Sequence, residues 1–247
     1  MNTAKELDLA IRLAESISEN EDTSNKKEIN TSNSIVRKLS CHKEGFYFEK
    51  KLATTVGGTT SFDGFLEEDA RNLFVVSKSS EPYSKKKSSA SFSFGELYEF
   101  INAELLGELE IEMKTSKCGR YLDTKYFAYG EEITRFDLKQ MICHLLGIAT
   151  GILNGTLESK QIDLIYLLYD PTELKLPEKA AKEINDIYER TTYECNLIDF
   201  TSLFRTLFSF LRQEKHLDSL SDDEIEEILF KFTFALSSQE LYPLLLG

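Results

Sequence analysis

Asp63, in the segment SFDGFLEED, and Lys78, closing the apolar run NLFVVSK, are the residues whose types and spacing could do chemistry. An acid on one strand and a lysine on its neighbour can hold a divalent metal and a phosphate together, the minimum for metal-assisted hydrolysis of a phosphodiester. Side chains two apart on a strand share a face, so residue 76 belongs to the same surface as Lys78. A second metal-ligating carboxylate is wanted there, and the chain has Val76. Valine supplies no ligand and excludes water. The plainer reading is that Asp63-Gly64 is a turn-favouring pair and Lys78 simply ends a strand.

The elements that must position these residues have strand texture. FYFEKKLATTV alternates apolar and polar residues, Gly57-Gly58 supplies a turn, and TSFDGFLEE is a second strand. Asp69 to Asn72 makes a tight connection into NLFVVSK, whose continuous apolar run predicts a strand covered on both faces. Three short strands with short links predict an antiparallel meander. Upstream, Leu7, Ala10, Ile11, Ala14 and Ile17 predict an amphipathic helix over 3–18, and residues 19–33 read as a polar linker.

Downstream of a serine- and lysine-rich loop at 84–93, FGELYEFINAELLGELEIEMK predicts one long helix broken near Gly107. The alternation of Leu109, Ile111 and Met113 also permits a strand there. TRFDLKQMICHLLGIATGILNG predicts a helix with Thr134 as N-cap and Gly155 as stop. IDLIYLLYDP is a strand buried on both faces. EKAAKEINDIYERTTYE, LIDFTSLFRTLFSFLRQ and DDEIEEILFKFTFALSS predict helices. The fold class is α/β, or α+β: a small mixed sheet with meander strands flanked by helices. Three regions are expected: an N-terminal helix and linker (1–33), an α/β core (34–175) and a helical C-terminal extension packed on it (176–247).

Composition narrows the function. With 41% apolar residues among 247, the chain can build a core. It has no apolar run of about 18 residues, so no membrane helix, and its N-terminus has no signal-peptide pattern, which predicts a cytoplasmic protein. Cys41, Cys118, Cys143 and Cys195 lack paired spacing and read as reduced thiols, and His42, His144 and His216 add no zinc motif. The net charge of −13 repels phosphates at long range and excludes a protein that coats DNA. Local basic islands remain at Lys85 to Lys87 and at Lys114, Lys117, Arg120 and Lys125.

A helix, a meander with Asp63 on its second strand and Lys78 ending its third, then a helix and a buried strand, resembles the core of the PD-(D/E)XK nucleases. These include many restriction endonucleases. Their signature is Asp, a variable gap, then Glu or Asp, any residue, and Lys. Asp63 takes the first position, Val76 stands where the second acid belongs, Ser77 fills the free slot and Lys78 is the lysine. The resemblance covers residues 34–170 and implies a Mg²⁺-dependent hydrolase acting on DNA phosphodiesters. Asp63 would ligate the metal and Lys78 orient the attacking water. Glu49 on the first strand would be a substitute ligand, with Glu67 and Glu81 as other positions, and Gln140, beside Lys139 and His144, a positioning residue. A further family strand would fall within TTYECNLIDFTSLF. The alternative is a catalytically inactive nuclease-fold protein that binds nucleic acid or protein, with the acidic, aromatic C-terminal region as the surface for a partner or a second copy.

Three other features have quieter readings. Glu112-Met113-Lys114 is a literal E-x-K, serious only if the segment is a strand. His144, among apolar neighbours, reads as a hydrogen-bonded core histidine. Phe204, Phe208, Phe210, Phe230, Phe232 and Phe234 read as core or subunit interface, because basic residues do not interleave with them.

Overall fold

The computed structural model describes residues 46–78, 94–104, 109–116, 119–168 and 178–237. The expected N-terminal helix and linker, Glu81 and the lysines 85–87 lie outside the described residues. Strands β1 (Phe46–Ala53), β2 (Thr59–Glu67) and β3 (Arg71–Lys78) form the antiparallel meander that their alternation predicts. Gly57 and Gly58 turn the chain between β1 and β2 at φ 98° and 85°, values that favour glycine.

Beyond β3 come helix α1 (Gly95–Glu104) and a second sheet of β4 (Leu109–Ser116), β5 (Gly119–Ala128) and β6 (Glu131–Ile133). Helix α2 (Leu138–Leu153) then carries the chain to β7 (Gln161–Leu168), which pairs parallel to β3. Helices α3 (Glu178–Asn196), α4 (Phe200–Lys215) and α5 (Asp222–Phe230) follow, and β8 (Thr233–Ser237) pairs parallel to β7. The main sheet runs β1-β2-β3-β7-β8, and the fold is mixed α/β. Among the described residues no helix is long and apolar enough to cross a membrane.

Helix α2 lies on β1 and β2, with α4 packed behind it. The approach is close enough to need glycine: a Cβ on Gly147 would collide with Cγ2 of Thr60 and sit 3.4 Å from Cβ of Leu52. Phe62, Phe65, Phe74, Leu145, Ile148, Leu203, Phe204 and Phe208 fill the core between sheet and helices. Leu66, Leu73, Val75 and Ile165 are buried on the opposite face, so β3 and β7 are apolar on both sides, as their sequences predict.

Three expectations are corrected. The long helix over FGELYEFINAELLGELEIEMK stops at Glu104, and LEIEMKTS is strand β4, because its alternation with β5 can bury Leu109 against Tyr126. DDEIEEILFKFTFALSS is helical only to Phe230; Phe232, Phe234 and Leu236 then alternate onto the core, and β8 pairs with the open edge of β7. The extra strand is therefore β8, while TTYECNLIDFTSLF lies in α3, α4 and the turn between them. Of the phenylalanine set, Phe204, Phe208 and Phe210 are core, whereas Phe230 is 90% exposed.

Candidate functional site

The meander brings Glu49 and Asp63 level with one another. Phe48 pairs with Gly64 and Lys50 with Phe62, so the intervening residues Glu49 and Asp63 stand opposite across β1 and β2. One step beyond the pair Gly64 and Val75, the same register sets Asp63 level with Val76, and Val76 pairs in turn with Tyr166 on β7. A row of Glu49, Asp63, Val76 and Tyr166 thus crosses four strands.

The backbone is irregular at this row. Thr60 and Phe62 are buried before Asp63, and Phe65 is buried beyond it, so the inward alternation of β2 slips by one residue at Asp63-Gly64. The slip is matched on β1, where Glu49 has φ 52°, in the left-handed region that costs a non-glycine residue about 1 kcal/mol. Glu49 is exposed and Asp63 half-buried.

Val76 is 2% exposed and belongs to the main core. Behind it, Nδ1 of His144 and the hydroxyl of Tyr166 share a hydrogen bond, and the His144 ring lies 4.8 Å from Phe62 and 5.7 Å from Tyr166. His144 is the bonded core histidine expected from its neighbours. Gln140, half-buried, sits one turn ahead of His144 on the same side of α2, and its backbone N–H donates to Oδ1 of Asp137. Asp137 is thus the N-cap of α2, in place of Thr134. Lys78 ends β3, in register with Leu168.

Mg²⁺ asks for oxygen ligands in near-octahedral array, usually one or two carboxylates with several waters. Among the described residues no group of three or more His, Cys, Asp or Glu side chains is placed to hold a metal ion. Glu49 and Asp63 are neighbours in register but differ in exposure, and the next position is sealed by Val76.

The E-x-K at Glu112 to Lys114 does lie on a strand. Lys114 bridges Asp123 across the ladder and sits 3.3 Å from Glu112, while Lys125 is 3.4 Å from Glu110. Glu112 is 71% exposed. This face of β4 and β5 is a run of cross-strand ion pairs in contact with solvent, where such pairs contribute little.

The residue that sequence reasoning missed is Glu194, which is 0% exposed. Its Oε2 accepts the backbone N–H groups of Thr134, Arg135 and Phe136 at 3.0, 2.7 and 2.9 Å. Its Oε1 accepts the Thr134 hydroxyl at 2.9 Å and Nε of Arg190 at 2.8 Å. Burial pushes this carboxyl up, but the Phe136, Arg135 and Thr134 N–H groups and Arg190 together hold it below its ordinary value. The only signal in the sequence is its position between Thr191 and Cys195, both buried on α3.

Comparison of the chain with protein-family models, curated proteins and solved structures returns no match.

Proposed function

We propose that this chain is a restriction-endonuclease-like protein that keeps the scaffold of a DNA-directed nuclease and works as a nucleic-acid binding module, without Mg²⁺-dependent hydrolysis at Asp63 and Lys78. The observation that carries this reading is Val76, 2% exposed and packed in the core where the second carboxylate would stand. With no carboxylate at position 76, the row offers a divalent ion half-buried Asp63 and exposed Glu49, and a valine wall stands where the attacking water would sit. Supporting the scaffold half of the reading, the meander is followed by α1 and, after the second sheet β4–β6, by α2 and the buried strand β7 beside β3; a helix and then a buried strand is the order that the resemblance to PD-(D/E)XK nucleases implies. The reading places the protein in the cytoplasm, where the free Cys143 and Cys195 stay reduced.

The test is to measure binding and integrity together, using labelled single-stranded DNA and plasmid with Mg²⁺, with Mn²⁺ and with chelator. Retention of intact DNA under all three conditions is the expected result. A product that forms only with metal would contradict it.

A second reading rests on the strand geometry of β4, which pairs Glu112 with Asp123 across the ladder and sets Lys114 against both. Should a metal-dependent product appear, that trio is its alternative source, and loss of product in Glu112→Gln but not in Asp63→Ala identifies it.

A further inference from the structure

A groove of about 400 Å³ opens between α3 and the segment that leads into α2. Its walls carry Arg135, Lys179, Lys182 and Arg190, together with Glu183 and Asp186. Among the described residues, Arg135, Lys179 and Lys182 have no ion-pair partner. In a chain of net charge −13, four cations lining one groove against two acids are a local reversal of sign.

The groove is also built rather than incidental. The buried carboxylate of Glu194 accepts the backbone N–H of Arg135 on one wall and Nε of Arg190 on the other. One side chain therefore fixes the spacing of both walls, and little ordering remains for a ligand to impose. Residues 179, 182, 186, 190 and 193 recur at three- and four-residue intervals, so Tyr193 continues the same stripe of α3. Its ring is 43% exposed, with the Arg190 guanidinium 5.2 Å from its centre and its hydroxyl donating to Glu131 at 2.6 Å.

We propose that this groove binds the backbone of single-stranded nucleic acid, with Arg135, Lys179 and Lys182 on phosphates and Tyr193 stacking a base. Unpaired cations beside a pinned aromatic ring are the two parts such a site needs. Glu183 and Asp186 are acceptors for the amino groups of unpaired bases, and they disfavour the second phosphate row of a duplex. The inference takes its ligand class from the binding reading above and adds the surface, the strand state and the residues.

The experiment is fluorescence anisotropy of the full chain with a labelled single-stranded oligonucleotide across a salt series. The variants are Arg135→Gln/Lys179→Gln/Lys182→Gln, Tyr193→Ala, and Lys231→Gln as a control at the C-terminal end of α5, with circular dichroism to confirm the fold. The triple variant should lose about tenfold or more in affinity, and its salt slope should fall by about 0.7 for each cation removed. Tyr193→Ala should lose about fivefold or more. The control should bind as wild type. If the triple variant keeps both wild-type affinity and slope while wild type binds, the groove assignment is overturned and the binding reading stands. If wild type does not bind at low salt, both are overturned. If inorganic phosphate displaces the probe as readily as unlabelled oligonucleotide, the assignment to a polymer is overturned.

Discussion

Val76 and Tyr166 are register partners across the parallel pair of β3 and β7, and both are sealed from solvent, at 2% and 1% exposure. The Tyr166 hydroxyl is already engaged by His144, whose ring packs near Phe62. The place where a nuclease would hold its second carboxylate is therefore part of an aromatic core, not the wall of a cleft.

Val76→Glu should consequently destabilise the fold by about 3 kcal/mol or more, because it buries a carboxyl without prepared partners. Desolvation raises the folded pKa of such a group above its unfolded value. The loss should be larger at pH 8 than at pH 5. Urea midpoints of wild type and variant at the two pH values check this; a loss independent of pH would mean that residue 76 reaches water.

Glu194 makes the opposite prediction. Glu194→Ala leaves the N–H groups of Thr134, Arg135 and Phe136 without their acceptor and should cost about 3 kcal/mol. Since the folded carboxyl titrates below its ordinary value of 4.5, its stabilisation is complete above that pH and is lost as pH falls through the folded value. Wild type should therefore lose stability on acidification more steeply than Glu194→Gln, as read from denaturant midpoints below and above pH 4.5.

Gly147→Ala should destabilise although alanine is the better helix former, by a net of about 1–3 kcal/mol. The new methyl meets Cγ2 of Thr60, so Thr60→Ser should recover part of the loss. A double-mutant cycle by thermal unfolding measures that coupling; additive costs would place the strain elsewhere.

Glu49→Gly tests the irregular row. Glycine inside a strand normally costs about 0.5–1 kcal/mol, but relief of the left-handed backbone at φ 52° should cancel that cost or exceed it. Equal or higher stability by chemical denaturation is expected, and a clear loss would mean that the Glu49 side chain holds the row together.

What the sequence made legible was the part of the fold determined by neighbours along the chain. Alternation around Gly57-Gly58 marked the meander, and the apolar run in β7 marked a central strand, because both patterns are local. Strand β8 was not legible, since the edge that turns Phe232 to Leu236 into a strand is β7, far away in sequence. Residues 109–113 satisfied helix and strand patterns alike, and only the pairing of Leu109 with Tyr126 decides between them. At the site, Val76 announced its own difficulty by residue type. The slip at Asp63 and the five donors gathered by Glu194 are backbone geometry, for which no side-chain pattern is a proxy.

The central claim, that Asp63 and Lys78 no longer support hydrolysis, is tested most directly by plasmid cleavage in Mg²⁺ and Mn²⁺ with wild type, Asp63→Ala and Lys78→Ala side by side. The account predicts no product from wild type above that from either variant. Metal-dependent nicking by wild type that disappears in both variants would contradict it.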